Sequence, residues 1–215
     1  MALGDRYTRP RADSAALLLI DVQHDFYADD APMRVAGTSE AIPAMAKLAL
    51  AFRQRGLPIV HVVRLYQPDG SNADLVRRES IEHRARIALP GSAGSQIAPE
   101  LLPKAVELDH NMLLSGGLQK LSAGEHIIYK PRWGAFYGTS LDEHLRASGC
   151  STLVFAGCNF PNCPRTSIYE ASERDFRIVL VSDAISGLYD RGIDECRAIG
   201  VDVRDTSLTL AWLAC

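Results

Sequence analysis

Ala15-Ala16-Leu17-Leu18-Leu19-Ile20-Asp21 decides the fold. An apolar run this short cannot span lipid, and it is too continuous for a strand with one wet face. It reads as a strand buried on both faces, which is the mark of a parallel sheet covered by helices. An acid closing such a run needs a reason. Working outward, Thr38 to Arg55 carries Ile42, Met45, Leu48, Ala49 and Phe52 at helical spacing and stops at Gly56, a suitable C-cap. Leu57 to Val63 is a second strand, with Pro58 near its start where one ladder hydrogen bond is dispensable. His126-Ile127-Ile128-Tyr129 is a third, again closed by a charge, Lys130, and Ser140 to Ser148 is the helix after it, with Leu141 and Leu145 on one side.

Thr152 to Ala156 is a fourth strand, followed by the turn Gly157-Cys158-Asn159-Phe160-Pro161-Asn162-Cys163-Pro164 and an amphipathic helix from about Arg165 to Asp175. Pro164 suits a first helical turn, where its missing N–H costs nothing. Arg177 to Ser182, closed by Asp183, is a fifth strand, Val201 to Val203 a sixth, and Ser207 to Leu213 a closing helix. Residues 66–124 show a charged helix near Ala73 to Ala85 amid Gly and Pro punctuation and no clear strand, so they are expected to form connections that shape a pocket. Strands alternating with helices specify an α/β fold around a central, mainly parallel six-stranded sheet.

Composition narrows the function. With 47% hydrophobic and 23% charged residues over 215 positions, the chain has globular composition and the length for one sizeable core. A net charge of −3, with no block of like charge, leaves no basic surplus for nucleic acid or an anionic bilayer. Met1 to Pro10 is polar and has no apolar signal region, so a cytoplasmic protein is expected. Five cysteines, an odd number, at positions 150, 158, 163, 196 and 215, without a CxxC pair or accompanying histidines, argue for reduced thiols and against a structural metal.

In open parallel sheets ligands bind beyond the carboxyl ends of the strands, which brings Asp21, Lys130 and Cys163 forward together. Each alone is an ordinary residue. Together they form a minimal kit for acyl transfer through a thioester. The thiol lies where a turn enters a helix, whose amides and dipole favour a thiolate; the carboxylate can move its proton, and the ammonium steadies the separated charges.

The motifs Leu19-Ile20-Asp21-Val22-Gln23-His24-Asp25-Phe26, Lys130-Pro131-Arg132-Trp133-Gly134-Ala135-Phe136-Tyr137-Gly138-Thr139-Ser140-Leu141, and Gly157 followed at the sixth position by Cys163 resemble those of the isochorismatase-like cysteine hydrolases, which include nicotinamidases and N-carbamoylsarcosine amidases. The likeness runs from Ala15 to Leu213. It implies a single hydrolase domain over residues 1–215, with a three-layer αβα, Rossmann-like architecture. It implies a catalytic triad of Asp21, Lys130 and Cys163, a cis peptide between Cys158 and Asn159, and an oxyanion hole formed by the Asn159 and Cys163 backbone N–H groups. A homo-oligomer, dimer or tetramer, is the implied assembly.

Departures from the pattern bear on substrate. Asn159, Phe160 and Pro161 replace the family's usual small residue and Thr-Asn or Thr-Asp, giving a bulkier turn. His61-Val62-Val63-Arg64-Leu65-Tyr66 stands where metal-binding nicotinamidases carry Asp-x-His, so no metal site and no cofactor is expected. The expected reaction is hydrolysis of a small amide, ureido or N-carbamoyl compound. The alternatives are isochorismatase-type vinyl ether hydrolysis and a non-catalytic small-molecule binder. Phe26, Trp133, Phe136 and Phe160 are candidates for the pocket wall, and Arg64 and Arg132 for carboxylate clamps. His61 reads as a strand residue with a local hydrogen bond, His24 as a loop residue near the mouth, and Arg165 as a helix-start residue reaching solvent.

Overall fold

The opening run forms β1 (Ala15–Ile20), and all of it is buried. Successive strand side chains point to opposite faces, so Leu17 and Leu19 join one apolar cluster while Leu18 and Ile20 join another. The computed structural model describes residues 5–215; residues 1–4, the start of the polar N-terminal stretch, lie outside the described residues. After β1 come α1 (His24–Tyr27), α2 (Thr38–Gln54), β2 (Ile59–Val63), α3 (Leu75–Glu82), α4 (His110–Leu114), β3 (Leu118–Ser122) and β4 (Glu125–Tyr129). The second half contains α5 (Leu141–Ala147), β5 (Thr152–Gly157), α6 (Cys163–Ser172), β6 (Arg177–Ile185), α7 (Asp190–Ala198), β7 (Asp202–Arg204) and α8 (Thr206–Leu213).

The strands order as β3-β4-β2-β1-β5-β6-β7, and all neighbours are parallel except β3 with β4. One face is covered by apolar residues of α2, α4 and α8, and the other by those of α5, α6 and α7, giving three layers. No helix among the described residues is long and apolar enough to cross a membrane.

The sequence predicts six strands and the sheet has seven. The added one, β3, lies in the 66–124 segment and turns back through Gly124 (φ 77°) onto β4. As an edge strand it has one neighbour and buries only Leu121, so it lacks the apolar run that marks the central strands. Helix α7 also carries no sequence signal, because it is strongly charged and buries only Gly192 and Cys196. Strand β6 runs past Asp183 to Ile185, and the Asp183 carboxylate accepts from the Thr206 N–H (2.7 Å) and hydroxyl (2.8 Å) at the start of α8.

From β1 the sheet grows through β2 in one direction and β5 in the other. The crevice at such a reversal, beyond the carboxyl ends, is where open α/β sheets take ligands. This topology places the site.

Candidate active site

Four strands deliver the site. Lys130 follows β4, Arg64 follows β2, Asp21 follows β1, and β5 leads through its turn to Cys163, the first residue of α6. Asp21 has left-handed backbone geometry (φ 55°), a region Asp enters more readily than most residues, and its N–H holds the Val62 carbonyl at 2.8 Å. Beside it Gly157 has φ 127°, and a Cβ there would collide with the backbone of Ile20. Only glycine lets β5 come this close to β1 at the crevice.

Lys130 Nζ lies 2.8 Å from Asp21 Oδ2. The lysine is 0% and the aspartate 4% exposed, so each charge depends on the other. The ammonium also donates to the Arg132 carbonyl at 3.3 Å, whereas Asp21 Oδ1 has no hydrogen-bond partner among the described residues. Cys163 is buried against this pair. Burial first, then the Asp21 carboxylate, push its thiol up to about 12, against the opposing pull of Lys130 and Arg64. The acidifying effect expected of a helix start is therefore outweighed by burial and by the carboxylate beside the thiol.

The turn before Cys163 is held by its own amides: Phe160 N donates to Ser186 O (2.8 Å), Asn162 N to Asn159 O (3.1 Å) and Arg165 N to Phe160 O (3.1 Å). Pro161 and Pro164 have no N–H. The Asn159 and Cys163 N–H groups take no hydrogen-bond partner among the described residues. The expected cis bond between Cys158 and Asn159 is absent. No peptide bond among the described residues is cis, in line with a trans preference of about 3 kcal/mol outside proline.

A pocket of about 460 Å³ opens over this turn. Of the expected residues, Asp21, Cys163, Asn159, Phe26, Arg64 and Trp133 line it, with Lys130 supporting Asp21 from within the protein. Three others lie elsewhere. Phe160 turns into the core, edge-on to Tyr189 at 5.5 Å and against Gly192. Phe136 is buried beside Phe176, with the Arg174 guanidinium over its ring. Arg132 donates to the carbonyls of Asn72 (3.2 Å) and Pro131 (2.7 Å).

Arg64 lines the pocket with its fork already engaged. It pairs with Asp74 and donates to the Tyr66 hydroxyl (2.8 Å) and the Lys130 carbonyl (3.3 Å). Gln23, from the first motif, brackets the Arg64 backbone: its Nε2 donates to Arg64 O (2.8 Å) and its Oε1 accepts from Arg64 N (2.7 Å). Asp25 accepts from Ala88 N at 2.6 Å and ties down another loop. These two motif residues position the walls.

Met33, Val35, Tyr66, Arg77 and Asn162, none of them a candidate by sequence, also line the pocket. They sit in aperiodic loops or, for Arg77, in a charged helix, so burial patterning cannot single them out. Arg77 lies 5.8 Å from the centroid of the Trp133 ring and has no carboxylate partner among the described residues. His61 is a buried strand residue bonded to Glu125 at 2.8 Å, His24 starts α1, and Arg165 reaches the Tyr189 hydroxyl at 2.7 Å. No group of three or more His, Cys, Asp or Glu side chains among the described residues is arranged to hold a metal.

A family model described as the isochorismatase domain matches residues 15–114 and 109–207. An isochorismatase family protein from Desulfovibrio vulgaris is similar in structure, with TM-score 0.80 and 30% identity over 94% of this chain and 99% of that one. A protein of Arabidopsis thaliana named "Probable inactive nicotinamidase" is 27% identical over 87% of this chain and 90% of its own length. The maleamate amidohydrolase of Pseudomonas putida is 27% identical over 79% of this chain and 71% of its own. With the three-layer sheet and both halves of the chain matched, this protein belongs to the isochorismatase family of hydrolases.

Proposed function

We propose that the protein is a metal-independent cysteine amidohydrolase with Cys163 as nucleophile. The observation that carries this reading is a buried thiol that shares one pocket with a carboxylate whose Oδ1 has no partner among the described residues and whose Oδ2 is held by a buried lysine. Asp21 takes the thiol proton as Sγ bonds to the substrate carbonyl carbon, and the Asn159 and Cys163 amides receive the oxyanion. The carbon–nitrogen bond breaks as Asp21 passes that proton to the leaving ammonia or amine, leaving a thioester. Asp21 then deprotonates a water that attacks the thioester, and the expelled sulfur recovers the proton.

The substrate is a small amide, ureido or carbamoyl compound bearing a carboxylate. Arg77 supports the last point, since a guanidinium without a carboxylate partner on a pocket wall suits an anion, and maleamate, the substrate named for one relative, is an acid amide. The name of the Arabidopsis relative favours a second reading, a binder without turnover. In that reading Phe160 would block the oxyanion hole, yet its side chain is fully buried in the core.

Ammonia release from a panel of acid amides and N-carbamoyl acids, native chain against Cys163→Ala, tests the proposal. Release by the native chain alone is the expected result. Release by both proteins, or binding without release by the native chain, would overturn it.

A further inference from the structure

Arg64 is 3% exposed, and its guanidinium is held by Asp74, the Tyr66 hydroxyl and the Lys130 carbonyl. A fork so occupied cannot grip a substrate carboxylate with two parallel donors, which is the role its sequence position suggests. Its backbone is equally fixed, bracketed by the Gln23 side chain. It nevertheless lines the same pocket as Asp21 and Cys163. Asp74, its counter-ion, is 4% exposed and keeps one oxygen, Oδ1, without a hydrogen-bond partner among the described residues. A buried carboxylate left half-satisfied is costly, and nothing in the local packing of α3 uses it: Asp74 precedes that helix without a side-chain cap bond.

We propose that Arg64 is a positioning residue for the nucleophile: a fixed second cation that favours the anionic sulfur of Cys163, with Asp74 setting how much of that positive charge the sulfur feels. The inference rests on Cys163 being the nucleophile. When Asp21 takes the thiol proton, its own charge vanishes and the negative charge moves to sulfur. Lys130, at the end of β4, then loses its partner, and Arg64, at the end of β2, is the second cation in the pocket that holds the new anion. The ionisable groups that act on the thiol are Asp21, which opposes ionisation, and Lys130 and Arg64, which favour it. Tyr66 and Asp74 act on it through Arg64. An opposite charge a few ångströms away typically moves such an equilibrium by about one to three pH units, each a factor of ten in thiolate fraction.

The test is the rate of Cys163 alkylation by iodoacetamide between pH 7 and 9 in the intact chain, localised by tandem mass spectrometry and checked against Cys163→Ala. This readout needs no turnover. Arg64→Met is expected to slow alkylation about tenfold at pH 8, while Arg64→Lys keeps most of the native rate. Asp74→Asn, which preserves shape and removes the counter-charge, is expected to speed alkylation at the same pH. Opposite signs for the two neutral variants are the signature. A merely structural pair would change the rate in the same direction in both, with Arg64→Lys as slow as Arg64→Met, and that result would overturn the proposal. Should Arg64→Met fail to fold with Asp74 left unpaired, the sign for Asp74→Asn decides alone. Ammonia release that survives Cys163→Ala would refute the nucleophile; unchanged alkylation rates in an enzyme that needs Cys163 would refute only the role of Arg64.

Discussion

Lys130→Met should unfold this protein more easily and silence it, and the size of the first effect follows from the burial of the Lys130–Asp21 pair. The lysine is 0% exposed, its Nζ is 2.8 Å from Asp21 Oδ2, and the other carboxylate oxygen has no partner. Methionine fills much of the lysine stem but leaves a buried carboxylate without its ammonium partner. Removing one member of a buried pair costs about 3–5 kcal/mol, and with Oδ1 already unsatisfied about 4 kcal/mol is expected. In a domain of this size that corresponds to a fall in Tm of roughly 8–16 °C. Asp21→Asn combined with Lys130→Met removes both charges and should recover most of the loss, ending within about 1 kcal/mol of the native chain. Urea unfolding of the four proteins at pH 7 gives the cycle, with ammonia release measured in parallel. A cost below about 1 kcal/mol for Lys130→Met, or a double variant as unstable as the two single costs summed, would refute the reasoning that the pair is stable only as a pair.

Asp21→Asn should separate ionisation of the thiol from catalysis. After burial, the Asp21 charge is the largest influence holding the thiol proton on, so its removal should lower the pH at which iodoacetamide reacts with Cys163 while ammonia release is lost. Slower alkylation in that variant would contradict the assigned electrostatics. On the α2 side of the sheet, burial alone would raise the Glu125 carboxyl, but hydrogen bonds from Arg53 and His61 outweigh it and hold the group down to about 2, against 4.5 for a free side chain. Its stabilising contribution is thus complete above pH 4.5 and lost as pH falls towards 2. His61, held below 6.5 by burial, lets the unfolded chain take a proton first, so stability begins to fall as pH drops through 6.5. Thermal unfolding between pH 7 and 3 should therefore show a steeper acid loss for the native chain than for Glu125→Gln, most of all below pH 4.5; equal slopes would remove Glu125 from the account.

The central strands and their helices were legible because burial on both faces leaves a continuous apolar run, as in β1 and β5. The edge strand β3 and the charged helix α7 were not, since elements with little buried surface need few apolar residues. At the site, Asp21, Lys130 and Cys163 stood out as reactive groups closing buried segments, and the structure brings them to one crevice. Phe136 and Phe160 could not be separated in the sequence from Phe26 and Trp133. All four are aromatic residues in or beside the same motifs, and only packing decides which ring meets the core and which meets the pocket.

The sequence by itself determined the layered parallel fold, the order of its central elements and the types of group at the strand ends, because these follow from local periodicity and from residues adjacent in the chain. Only the tertiary structure decided the state of those groups. That Arg64 is paired with Asp74, that Arg77 has no carboxylate partner among the described residues, and that the Cys163 thiol is raised by burial and the Asp21 charge all depend on neighbours far off in sequence, whose burial and charge add up only once the sheet has brought them together.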